Sequence, residues 1–232
     1  MATVQAETGK SLVAKAMDAV KSHIREQGLR VGDTLPAEGF FAEKLGVSRA
    51  VMREAFGGLA ALRLIDVANG RRAKVGALDG SVIADSLEHA LSTSQIRVSD
   101  VWDVRRTIEM RTAALAARNA TRAQSARIVA LAEAMGKDDQ PHDETTEDDI
   151  EFHLAIAEAS GNALFNQIVV SFVPLMRVAV PTAWKTRRSA EQRSDILERH
   201  KRLAWAIANG NAEEAERCMA SHFDDAIGAL LR

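Results

Sequence analysis

The chain has 232 residues, 47% of them hydrophobic, and one cysteine, Cys218; this is more than one small domain needs for a core, and it excludes an intrachain disulfide. No run approaches the roughly 18 apolar residues of a membrane span, so a membrane protein of helical type is not expected. The formal charge of −2 hides an asymmetry, because residues 1–75 carry 12 Lys and Arg against 8 Asp and Glu, and residues 76–232 carry 18 against 24, which points to nucleic acid as a partner of the head and not of the body.

In chain order, Ser11 to Gln27 places Leu12, Ala16, Val20 and Ile24 at helical spacing and ends at Gly28, which predicts an amphipathic first helix. Leu35-Pro36 then opens a short helix whose Phe40, Phe41 and Leu45 are expected to share a buried side, and Gly46 ends it. Ser48 stands as the N-cap of a following helix with Val51, Ala55, Phe56 and Leu59 on its inner face. Arg49 and Arg53, four apart, project together from its first turns. Ile65-Asp66-Val67 and Lys74-Val75 read as two short strands around the turn Asn69-Gly70-Arg71-Arg72.

A brace helix, a capped helix led by arginines and a basic hairpin together make a winged helix-turn-helix, in which the second helix enters the major groove. An arginine fork suits either guanine O6 and N7 or a phosphate. The expected DNA contacts are therefore Ser48, Arg49, Arg53, Asn69, Gly70, Arg71, Arg72 and Lys74. Two solvated arginines on a surface helix would be the plain alternative, and the wing is what argues against it. The segment resembles the DNA-binding domain of the GntR family of bacterial transcription regulators, through Leu35-Pro36, Ala42-Glu43, Leu45-Gly46-Val47-Ser48-Arg49, Arg53-Glu54-Ala55 and Leu59. It departs from the family at Gly39, where an arginine is common, and at Arg72 or Ala73, where a second wing glycine is common.

Residues 1–75 are thus expected to be the DNA-binding domain, 76–80 (Gly76-Ala77-Leu78-Asp79-Gly80) a hinge, and 81–232 an all-α antiparallel bundle. Helices are predicted near 81–94, 98–118, 122–136, 146–160, 162–179, 189–209 and 211–231, with Gly136 to Thr146 as a polar loop and Gly161 and Gly210 at tight turns. Within the bundle Asp149 and His153 lie four apart and share a helix face with Ile150 and Ile156, while His200 and His222 sit among apolar neighbours on two later helices. A single buried histidine is usually a core residue, but three imidazoles and one carboxylate directed inward match the ligand set of a borderline divalent metal.

The bundle resembles the FCD ligand-binding domain of the FadR-type branch of the GntR regulators, over roughly residues 98–225. The resemblance implies that Asp149, His153, His200 and His222 bind a divalent metal ion, zinc first with nickel or manganese as alternatives, and that Ala159-Ser160-Gly161-Asn162 follows the first pair. It also points to Arg105, at the edge of a stripe formed by Val101, Val104, Ile108 and Leu115, as a contact for an anionic effector; the competing reading is a helical pair of Arg105 with Glu109.

The expectation is a cytoplasmic homodimer that binds a near-palindromic operator in double-stranded DNA and represses until a small carboxylate effector, a sugar acid, hydroxy acid or dicarboxylate, binds beside the metal. Two alternatives stay open. One is a metal-dependent helical enzyme, disfavoured because none of these histidines has the Glu-x-x-His or His-Glu-x-x-His spacing of helical catalytic metal sites. The other is a metal-ion sensor without an organic effector.

Overall fold

A computed structural model describes residues 11–135, 142–186 and 190–230. The chain divides into two compact units, Met1–Val82 and Ile83–Arg232.

The first unit orders α1 (Leu12–Glu26), α2 (Glu38–Leu45), α3 (Arg49–Ala61), β1 (Ile65–Asp66) and β2 (Lys74–Val75). Side-chain caps fix two helix starts: Ser11 Oγ accepts from Ala14 N at 3.1 Å and Ser48 Oγ from Val51 N at 3.2 Å. Between α2 and α3 the chain reverses at Gly46, whose φ of +65° lies where a side chain is strained. The strands pair antiparallel, Ile65 opposite Val75 and Asp66 opposite Lys74. Gly76 N then donates to Leu64 O at 3.0 Å, an approach so close that a Cβ at Gly76 would stand 2.4 Å from Arg63 O.

Ala16, Val20, Leu35, Phe41, Met52, Ala55, Phe56, Leu59 and Ile65 form the core of this unit; each large side chain so buried is worth about 2 kcal/mol. The inner faces of α2 and α3 differ from expectation. Phe41 and Ala42 are buried, whereas Phe40 is 46% exposed and Leu45 is exposed as well. Phe40 instead rests edge-on against His23 and Phe41 at the rim. On α3 it is Met52, with Ala55, Phe56 and Leu59, that is buried, and Val51 is only half-buried.

Helix α4 (Ser81–Ser92) begins at the boundary between the units, and the second unit continues with α5 (Val98–Asn119), α6 (Arg122–Ala134), α7 (His142–Ala159), α8 (Ala163–Ser171), α9 (Val173–Thr186), α10 (Ala190–Ala208) and α11 (Ala212–Leu230). The segment 162–179, expected as one helix, is two: Phe172 closes α8, and Pro174 occupies the first turn of α9, where its missing N–H has no partner to lose. The expected polar loop 136–146 is shorter. Residues 136–141 lie outside the described residues, and α7 already begins at His142, because acidic residues are as acceptable at a helix start as in a loop.

Helix α5 is the axis of this unit and packs against α7, α10 and α11, with α6 lying on α7 and α10. Ala113, Ala116 and Ala117 allow that close approach, and Trp102, Ile128, Phe152, Ile156, Leu203, Ile207, Met219 and Phe223 fill the space between. The buried stripe of α5 is rotated from the one read in the sequence: Val104 is 49% exposed, while Arg105, Glu109 and Thr112 face inward. Charged groups occupy the inner stripe because they satisfy one another there. No helix of the described residues is long and apolar enough to cross a membrane.

Candidate DNA interface and metal centre

In the first unit, Ser48 ends α2's turn and starts α3, which leaves Arg49 as the first helical residue and Arg53 one turn on, both exposed. The wing turn closes with Arg71 N donating to Ala68 O at 3.1 Å, and it carries Asn69, Gly70, Arg71 and Arg72 in the open, with Lys74 exposed on β2. Arg49, Arg53, Arg71 and Arg72 line one groove of about 520 Å³, together with Gly70, Gly39 and the single acid Glu38. Among the described residues none of the four arginines is engaged in a salt bridge. Four guanidinium groups without a salt bridge around one groove would suit a polyanion, and each phosphate neutralised there would release counterions.

In the second unit, α7 brings Asp149 and His153 to the interior, α10 brings His200 and α11 brings His222, all buried. Each offers a ligand atom, and these atoms lie within 4.8 Å of one another. Local contacts set the tautomers. His200 Nδ1 lies 2.9 Å from Ile196 O, which only accepts, so Nδ1 carries the proton and Nε2 faces Asp149 Oδ1 at 3.1 Å. His153 Nδ1 donates to Glu109 Oε2 at 2.5 Å, which turns its Nε2 to within 3.3 Å of His222 Nε2. Two imidazole nitrogens on a tetrahedral ion at about 2.1 Å would stand about 3.4 Å apart, which is close to the His153–His222 separation, and the donor set fits a metal in its chemistry.

The electrostatics of Asp149 and His222 favour a bound cation, whereas His153 is shifted upward, because burial lowers it but Glu109 outweighs that. Burial alone would raise Asp149, but the hydrogen bond with His200 and the neighbouring imidazoles outweigh it and hold the carboxyl well below its usual range. Burial, and then His200 and His153, push His222 far below the ordinary imidazole value. A neutral imidazole is the metal-binding form. His222 Nδ1 is buried with no hydrogen-bond partner among the described residues.

Arg105 lies against this cluster, 3% exposed, with Nε donating to Glu109 Oε1 at 2.8 Å and its guanidinium over the rings of Trp102, at 4.6 Å, and Phe223, at 5.1 Å. The i,i+4 pair considered from the sequence is therefore formed, and it is buried. What the sequence did not reveal is that the same carboxylate also holds His153. The available signal was Arg105-x-x-x-Glu109 beside Trp102 and the small residues Ala113, Ala116 and Ala117, a spacing that marks a closely packed face.

Residues 12–75 match the family described as bacterial regulatory proteins, gntR family, and residues 100–225 match the FCD domain. The chain is 30% identical over 211 residues to the HTH-type transcriptional regulator LutR of Bacillus subtilis, covering 89% of this chain and 95% of that protein. It is 29% identical over 211 residues to the Glc operon transcriptional activator of Escherichia coli K12, covering 88% and 83%. Among solved structures, a GntR protein of Streptococcus agalactiae superposes with a TM-score of 0.63 at 25% identity, over 92% of this chain and 97% of that one.

Proposed function

The chain belongs to the GntR family of bacterial regulatory proteins, with an FCD domain behind its helix-turn-helix, and we propose that it is a metal-bearing repressor released from its operator by a small carboxylate. As a family member it is a DNA-binding transcription regulator, and its relatives are regulators rather than enzymes. The observation that carries the finer reading is the buried set Asp149, His153, His200 and His222, with converging ligand atoms, in the same chain as a groove lined by four arginines.

Asp149, His153, His200 and His222 would hold a divalent ion, zinc in the first instance, since one carboxylate and three neutral imidazoles suit it. Bound there, the ion would supply a positive centre, which an oxygen of an acid could join by raising the coordination above the four protein ligands. Arg105 supplies a second positive group, already desolvated and braced by Glu109. An acid with two oxygen functions, such as a sugar acid, hydroxy acid or dicarboxylate, matches both. Arg49 and Arg53 read bases or clamp phosphate, Ser48 fixes the start of their helix, and Asn69, Gly70, Arg71, Arg72 and Lys74 hold the flanking backbone.

Two copies of the chain would present two such helices to the half-sites of a near-palindrome. Release follows if the acid favours the arrangement that does not fit DNA, and a tenfold loss of operator affinity needs about 1.4 kcal/mol of coupling. A relative named above is an activator, so the sign is tested by a promoter reporter read with and without the acid. A screen of zinc-loaded protein against small organic acids by thermal shift identifies the acid. A screen in which no acid moves the melting temperature, or in which acids stabilise the metal-free protein as much as the zinc-loaded protein, would refute the effector class.

A further inference from the structure

The carboxylate of Glu109 has both oxygens in use: Oε1 accepts from Arg105 Nε at 2.8 Å and Oε2 from His153 Nδ1. Glu109 is 1% exposed, so neither contact competes with bulk water. One group is thus shared between the arginine and the first histidine of the metal set. We infer that Glu109 is a positioning residue that couples the two: it fixes His153 as an Nε2 ligand and makes metal affinity depend on what Arg105 is bound to. This rests on the metal reading given above and adds a mechanism of regulation within the same site.

A carboxylate that accepts the Nδ1 proton of a ligating histidine raises the donor strength of Nε2, and removing such a partner costs about 10- to 100-fold in metal affinity. Arg105 draws on the same negative charge. When an anion takes up the guanidinium, Glu109 becomes a stronger acceptor for His153, and the metal is held more tightly. By reciprocity, metal loading strengthens the hold on the anion by the same factor. The Arg105 guanidinium packs against the adjoining rings of Trp102 and Phe223 and is 3% exposed, a position that favours redistribution of its hydrogen bonds over a swing away.

The test uses zinc alone on the full chain, by competition with a fluorescent chelator. Glu109→Gln is expected to weaken zinc binding about 10-fold or more. Arg105→Met, which removes the competing cation, is expected to shift zinc affinity by about threefold or more in the wild-type background and by far less in the Glu109→Gln background. Equal shifts in the two backgrounds, or wild-type affinity in Glu109→Gln, would overturn the coupling. His153→Ala separates the two levels: if it retains zinc the metal reading itself fails, and if it loses zinc while Glu109→Gln does not, only the coupling fails. Imidazole ¹⁵N spectra of the zinc-loaded wild type require no substitution. His153 bound through Nε2 with a strongly hydrogen-bonded Nδ1 proton supports the assignment, and binding through Nδ1 contradicts it.

Discussion

His200 Nε2 stands 3.1 Å from Asp149 Oδ1 while its other nitrogen donates to Ile196 O at 2.9 Å. A bare nitrogen and a carboxylate oxygen do not rest at that distance inside a core unless a proton or a cation lies between them. A divalent ion answers this pair and the facing nitrogens of His153 and His222 at once. His153→Ala is therefore expected to remove the metal from purified protein, measured by elemental analysis after dialysis. Undiminished metal content in this variant would refute the ligand set.

Chelation gives the energetic counterpart. An ion that binds only the folded chain stabilises it by about 4 kcal/mol when its free concentration is about 1,000 times Kd. For a unit of this size that corresponds to a Tm difference of roughly 10 °C. Treatment with a strong chelator should lower the Tm of the helical unit by that order and leave unchanged any transition of the winged unit, whose core of Phe41, Met52 and Leu59 is built on different elements. Calorimetry resolves the two.

The metal-free protein should be acid-sensitive. Asp149 and Glu109 titrate below their ordinary values, so their stabilisation is complete above the usual carboxylate range and is lost as pH falls below about 4. His222, lowered as well, favours the neutral folded form, so stability already declines as pH falls through about 6.5. His153 has the opposite sign: burial lowers it but Glu109 outweighs that and raises it, so its contribution is present in acid and fades as pH rises. Above about pH 4 His222 and His153 oppose each other, and below it both carboxylates lose their stabilisation, so Tm is expected to fall most steeply below pH 4; a flat or rising profile there would contradict the burial and pairing described.

At the DNA groove, Arg53→Ala is expected to cost about 1 to 3 kcal/mol and to relax preference at one base position. Arg72→Ala, on the wing, should weaken all sequences alike and reduce the salt slope by about one. Gly39 lines the same groove, and a Cβ there meets nothing within 4 Å. Gly39→Arg should therefore fold normally, bind DNA more tightly and steepen the salt slope by about one. Fluorescence anisotropy over a range of salt measures all three.

The winged unit was legible because its signals are local: Ser48 caps, Gly46 turns, and Arg49 and Arg53 follow at fixed offsets. The four metal-ligand candidates were legible because inward-facing imidazoles among Ile and Leu break the pattern around them. What escaped was long-range. Reading apolar spacing put Val104 on the inside of α5, but a buried Arg105–Glu109 pair, closed by His153 44 residues later, turned the helix the other way. Hydropathy cannot anticipate a charged stripe that is satisfied only in the folded state. The break at Phe172 was hidden for a related reason, since α8 and α9 are both apolar and Pro174 fits a first turn.

If an acid seated at the metal and Arg105 governs DNA binding, operator affinity reads it out. DNA selected from a random library by the zinc-loaded chain would be titrated against wild type and Arg105→Ala, with and without the acid found by thermal shift. A loss of affinity of about 10-fold or more with acid is expected in the wild type, about 1.4 kcal/mol, and no change in Arg105→Ala. Affinity that follows zinc alone and ignores every acid would contradict it and make the protein a metal sensor.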